Sequence, residues 1–177
     1  MINKILYVLA VFVGVFLITG LLAPTEFSVE REITIAKPRE QVFAFLTSLK
    51  NGQSWSPWKK LDPNMKAEYK GTDGTVGSVS SWDGNTAIGA GEQEIKSIVP
   101  NERIDLELRF SRPMQGASQV SFRTENSPVP HHTKVIWGMK SPSPFPSNVF
   151  CLLFNMPKKL GNDFEQGLAN LKVLLEK

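Results

Sequence analysis

Apolar positions follow three different spacings along this chain, and each spacing predicts a different kind of element. From Ile5 to Leu22 the segment ILYVLAVFVGVFLITGLL is uncharged and apolar on every side. Its about 18 residues reach the lower end of what an α-helix needs to cross a bilayer core. After Pro24 the spacing becomes two: Phe27, Val29, Ile33 and Ile35 alternate with polar neighbours and predict a strand from Phe27 to Ile35. Lys37-Pro38 then opens a helical stretch carrying Val42, Phe43, Phe45, Leu46 and Leu49, with Pro at a first helical position, and Asn51-Gly52 ends it. The Pro-broken segment Ser54-Trp55-Ser56-Pro57-Trp58 predicts a second short helix or a turn.

Between Met65 and Met139 short alternating runs are separated by turn chemistry at 71–74, 83–85, 100–101, 111–116 and 125–132. Connections this short demand an antiparallel meander, because parallel crossovers are longer. The clearest run is Arg103 to Phe110. There Ile104, Leu106, Leu108 and Phe110 face one way and Arg103, Asp105, Glu107 and Arg109 the other, so the sheet is covered on one side only. Beyond the Pro-rich break at 141–146 the helical spacing returns: Phe164, Leu168, Leu171 and Leu175 form one stripe. The only large apolar surface that stripe can bury against is the covered face of the sheet, which predicts an α+β domain of two layers.

Composition changes this picture in three places. The 177 residues carry 20 Lys+Arg against 17 Asp+Glu, a net charge of +3, and 41% apolar residues, enough for one domain at residues 25–177 behind an N-terminal segment at 1–24. So small a charge excess argues against nucleic acid as a partner. The single Cys151 makes no internal disulfide, and no Cys/His spacing forms a zinc site. The N-terminal segment admits three readings: a membrane anchor, a cleaved signal peptide and a buried core helix. The anchor is preferred because the apolar run exceeds a signal-peptide core and its small-residue exit runs into Pro24. Arg31, Lys37 and Arg39 behind the run pull against Lys4 ahead of it, and the expected orientation is the one Lys4 favours, with the domain outside the cytoplasm.

Several phrases resemble the START-like superfamily, SRPBCC, in its polyketide cyclase/dehydrase branch. They include Phe27-Ser28-Val29-Glu30-Arg31, Pro38 with Val42-Phe43, Trp55-Ser56-Pro57-Trp58, Gly74 to Gly77, and Ser81-Trp82-Asp83-Gly84-Asn85. Further along come Gly89-Ala90-Gly91, Val99-Pro100-Asn101-Glu102-Arg103, Phe145-Pro146 and Phe164 to Leu171. The resemblance spans residues 25 to 177 and implies the helix-grip fold: a curved antiparallel sheet wrapped around a long C-terminal helix, with two short helices after the first strand and a cavity between sheet and helix. Membrane-tethered members with an N-terminal helix are familiar in that superfamily. No single phrase is a catalytic signature, and a fold by itself does not imply an activity.

Alternation at Ile88 to Lys96 puts Gly89, Gly91, Gln93 and Ile95 on one face and Glu92, Glu94 and Lys96 on the other. Inward glycines in a strand mark either a bulge or room for a ligand. Large apolar side chains supply a candidate lining: Trp55, Trp58, Trp82, Phe110, Met114, Trp137, Met139, Phe145, Phe164 and Leu168, with Gly89 and Gly91 leaving the space. For each of them plain core packing is the competing reading. The inward positions offer almost no titratable group; His131-His132 lie in a Pro-flanked loop and Cys151 in an apolar run, so no catalytic residue, metal site or cofactor is assigned. The apolar cluster Phe150, Leu152, Leu153, Phe154 and Met156 reads as the start of the long helix or as a surface lid touching a membrane or ligand. Three functions stay open: a membrane-tethered module binding a hydrophobic small molecule or lipid, a cyclase/dehydratase-like enzyme using the same cavity, and an envelope protein-interaction module without ligand.

Overall fold

Two-residue alternation in seven consecutive runs sorts side chains to opposite sides of one sheet, and that sorting organises the whole domain. The computed structural model describes the full chain, Met1–Lys177. A 21-residue helix α1 (Ile2–Leu22) leads into β1 (Glu26–Ile35), which is followed by α2 (Arg39–Thr47), α3 (Leu49–Trp55) and a 3-10 turn at Pro57–Lys60. Six strands come next: β2 (Lys66–Lys70), β3 (Val79–Asp83), β4 (Ala90–Val99), β5 (Arg103–Arg112), β6 (Gly116–Asn126) and β7 (Thr133–Pro142). A short α4 (Ser147–Leu153) and the 20-residue α5 (Met156–Leu175) complete the chain. The strands form one antiparallel sheet in the order β1-β7-β6-β5-β4-β3-β2. The expected meander from β2 to β7 is therefore extended at its β7 edge by β1, whose residues Glu26 to Ile35 pair with Pro142 to Thr133.

The stretch after β1 differs from the single helix expected up to Asn51-Gly52. Ser48 interrupts it: its extended backbone ends α2, and its hydroxyl accepts from Asn51 N to cap α3. Asp73 holds the break from outside, accepting from Ser48 Oγ at 2.6 Å and from Leu49 N at 2.8 Å. A serine that can cap is favoured at such a junction over a helix interior. Trp55 consequently ends α3, and of the short helix or turn expected over 54–58 a 3-10 turn forms at Pro57–Lys60.

Helix α5 lies along the inner face of the sheet and runs in the same direction as β1. Its C-terminal end is tied where Glu176 accepts from Ala36 N and Lys172 donates to Thr34 O, and its N-terminal half where the Arg31 guanidinium crosses Gly161 to reach Glu165. The predicted stripe is what the helix buries: Phe164, Leu168 and Leu171 are at most 1% exposed and pack with Val29, Ile35, Ile95, Ile104, Leu106, Val120, Phe122, Val135 and Trp137.

The outer face is a ladder of ion pairs. Arg109 donates to Glu92, Glu94 and Glu107 at 2.8–2.9 Å, and Lys96 bridges Glu94 and Glu107. Hydrogen bonds from Arg109 and then Lys96 hold the Glu94 carboxyl below its usual range, and the backbone N–H of Ala36 does the same for Glu176. A depressed carboxylate pKa contributes stability that is fully present above the unfolded value and disappears as pH falls through the folded one. The melting temperature should thus be flat around neutral pH and decline once pH drops below 4.5. Thermal denaturation across that range checks this, and an unchanged melting temperature on acidification would refute it.

Candidate ligand site

The layer between the inner face and α5 has a tightly packed end and a partly exposed end. At the filled end Phe164 stacks on Trp137 with centroids 3.9 Å apart and planes 3° from parallel. Trp55 meets the Trp137 ring edge-on at 5.1 Å, Phe122 lies 5.4 Å away, and Trp58 closes over both at 5.9 Å from Trp137 and 6.4 Å from Phe164. Stacked and edge-on contacts of this kind exceed simple area burial in strength. The aromatic stripe of the sequence has thus produced core at this end, with Trp55, Trp137, Phe164 and Leu168 all buried.

Towards the opposite end the inner face stays partly uncovered. Leu108, Phe110, Met139 and Phe27 point to the helix side by their register, and Trp58 and Leu160 face them from the other layer, yet all six are only half-buried. Beside them, two residues along β7 from Met139, the indole N–H of Trp137 is buried without any hydrogen-bond partner. A buried donor left unpaired costs about 1–3 kcal/mol.

Polar groups on the inner face are few. Ser118 Oγ donates to Ser141 Oγ at 2.9 Å, Ser80 is buried, and Gln93 lies between them in the register. The inner face of the seven strands carries no carboxylate and no imidazole; its ionisable groups are Arg31, held by Glu165, and Tyr69. Burial pushes the Tyr69 phenol up, a hydrogen bond with Ser80 pulls against that, and the phenol stays protonated at neutral pH.

Several expected lining residues sit elsewhere. Gly89 precedes β4 at φ +71° in a turn against the Arg112 carbonyl, so it leaves no strand-face space. Gly91 lies at a register shift in β4, a bulge, and the Trp82 ring covers it so closely that an added Cβ would come 2.6 Å from that ring. The bulge is therefore what this glycine serves, and Trp82, edge-on to Phe110 at 5.7 Å, occupies the room above it. Met114 is exposed at the tip of the β5–β6 turn, and Phe145 packs against α1, away from the space beneath α5. Trp58 and Met139 do border the open end. Leu108, Phe27 and Leu160 were missed as lining, although alternation for the first two and the i+4 spacing to Phe164 for the third place them there. Two open depressions of about 830 and 610 Å³ lie on the charged outer face among the ion-paired side chains.

With the geometry in view, comparison with known proteins is informative. The sequence profile of a family described as polyketide cyclase / dehydrase and lipid transport matches residues 26–176. The chain belongs to this family. Solved structures share its helix-grip fold. Protein CV1439 from Chromobacterium violaceum is 16% identical with a TM-score of 0.60, over 85% of this chain and 97% of its own. The Aha1 dimer from Colwellia psychrerythraea is 19% identical (TM-score 0.57, 85% and 96% covered). CalU16 from Micromonospora echinospora is 15% identical (TM-score 0.57, 84% and 73% covered). A search of curated proteins returns no match. The matched residues exclude α1, so the family's domain is the sheet with α2–α5, and the N-terminal helix is an addition of length and apolarity suited to a membrane anchor or a signal sequence.

The close contact at Gly91 makes a sharp prediction for this polyketide cyclase/dehydrase family member. Gly91→Ala must displace Trp82 and push on the Arg109 carbonyl, an overpacking worth about 1–3 kcal/mol. Urea unfolding should show that loss; a variant as stable as the parent would mean that the space above Gly91 is free.

Proposed function

We propose that this protein is a membrane-tethered module that binds a hydrophobic small molecule or lipid between the inner face of the sheet and α5. The observation that carries the reading is the uncovered end of that face. Leu108, Phe110 and Met139 lie in the layer that α5 should bury and are left half-exposed, next to the unpaired N–H of Trp137. Apolar walls with one or two directed polar groups are how proteins hold lipophilic ligands, and the family description names lipid transport. A cyclase or dehydratase would need an acid or base aimed into the space; the sheet face offers Tyr69 and Arg31, and the carboxylate beside it on α5, Asp163, is engaged as acceptor of the Trp58 indole N–H. The charged outer face satisfies itself through its own ion pairs, which gives a docking partner little to compete for. The tether is α1, which at about 31 Å long matches a hydrocarbon core of about 30 Å.

The full chain purified in mild detergent should carry a co-purifying lipophile near one per chain, read by native mass spectrometry and organic extraction. Leu108→Trp fills the open end and should abolish that occupancy while the fold persists by circular dichroism. A parent chain without ligand, or an occupancy that Leu108→Trp leaves unchanged, would overturn the proposal.

A further inference from the structure

The strongest unexplained feature lies outside the sheet, where α1 meets α4. Asn148 is 1% exposed, and its side-chain amide donates to Gly20 O at 2.7 Å and Ala23 O at 3.2 Å. These are carbonyls of the last turn of α1 and the residue after it, which have no helical N–H to receive. The Phe145 ring lies directly on Gly20, so close that a Cβ there would collide with it, and Val149 packs alongside. Ser143 N donates to Thr25 O at 2.7 Å, and Phe16 meets both Phe145 and Phe150 at centroid distances of 5.6 and 6.1 Å. The base of α1 is therefore fastened to α4 by hydrogen bonds and aromatic contacts, while the remainder of α1 is bare.

What α4 presents outward is apolar. Phe150, Leu152, Leu153 and Phe154 are between 47% and 68% exposed, and this surface is continuous with the exposed side of α1 through Phe16 and Phe145. Isolated exposed apolar residues need no explanation, but a contiguous patch does. The charge pattern around it is one-sided. No Asp or Glu occurs between Ser141 and Asn162, whereas Lys158 and Lys159 follow at once, with Lys159 Nζ 5.4 Å above the Phe154 ring.

Depth identifies the occupant. Phe16 lies six residues before Leu22, which is about 9 Å along the helix axis from the end of α1. When α1 crosses a bilayer, the side chains that touch Phe16 are held about that far inside its boundary, within the roughly 5–10 Å at which interfacial helices embed. We propose that α4 and Phe154 form a second membrane contact, seated in the headgroup–acyl boundary of an anionic phospholipid bilayer with Lys158 and Lys159 at the phosphates. The contact sits at one particular edge of the sheet. Glu26 at the start of β1, Pro142 at the end of β7, Gly116 of β6 and Arg112 of β5 share the edge next to α1, and Phe27, Met139 and Phe110 of the open end lie within a few residues of it. The second contact thus turns the open end of the ligand space to the bilayer, and the ligand class it implies is a lipophile resident in the membrane rather than one delivered from water. This inference rests on the tether and ligand reading above.

The test places an environment-sensitive nitrobenzoxadiazole label on the full chain, in a Cys151→Ser background, at Leu153→Cys, Leu152→Cys, Val13→Cys or Val173→Cys. Each variant is reconstituted in nanodiscs of phosphatidylcholine and phosphatidylglycerol with or without brominated acyl chains. Labels at 153, 152 and 13 should emit blue-shifted light and lose about half their intensity to brominated lipid, as expected for probes at interfacial depth or below, while the label at 173 stays water-like. Quenching at 13 with water-like emission at both 152 and 153 overturns the second contact and leaves the tether standing. Blue-shifted but unquenched emission at 152 and 153 also overturns it, because the patch is then covered by protein, such as a second copy. Absence of quenching at 13 overturns the tether and this inference together.

Discussion

The packing of Phe164 against Trp137 is the interaction on which the rest of this structure depends. A parallel stack at 3.9 Å requires the long helix to lie close on the sheet, and the edge-on rings of Trp55 and Trp58 close the space on the remaining side. The stack divides the inner layer. On one side of it the stripe Leu168 and Leu171 packs fully against Ile35, Val135 and Ile104; on the other, the helix stands over residues it does not cover. The part of the inner face left half-exposed is what the aromatic plug does not reach.

The two faces of the sheet solve opposite problems with the same alternation. Inward positions are apolar or small and hydroxylic, and outward positions are paired charges whose attraction along the ladder is modest at a wet surface. Arg109 illustrates the arrangement: three carboxylates surround one guanidinium and Lys96 bridges two of them, which leaves the cluster one negative charge rather than a strong single-sign field. The open depressions on this face lie among those ion pairs.

At that edge a buried amide joins the N-terminal helix to the domain. Asn148 converts the loose end of an apolar helix into a defined junction, because a residue that fills two carbonyls in a buried place cannot be moved without leaving them unpaired. The base of α1, helix α4 and the partly uncovered inner face then share one end of the molecule.

Local pattern was enough to determine the element types, their order, the one-sided sheet and the burial of the stripe at Phe164, Leu168 and Leu171, because strand alternation and helical spacing are properties of neighbouring residues. It also marked the apolar run at 5–22 and the phrases that place residues 26–176 in their family. Which large apolar residues plug the space and which border it was illegible, since Trp55 and Trp58 carry the same chemistry and separate only when α5 lies across them. The same holds at Gly91, where a missing side chain is equally consistent with room for a ligand and with room for Trp82 until the register of β3 against β4 is known. Asn148 gives no signal in the chain at all. Its role comes from meeting the end of a helix that lies 125 and 128 residues away in sequence, and contacts at such separations exist only once the sheet has folded.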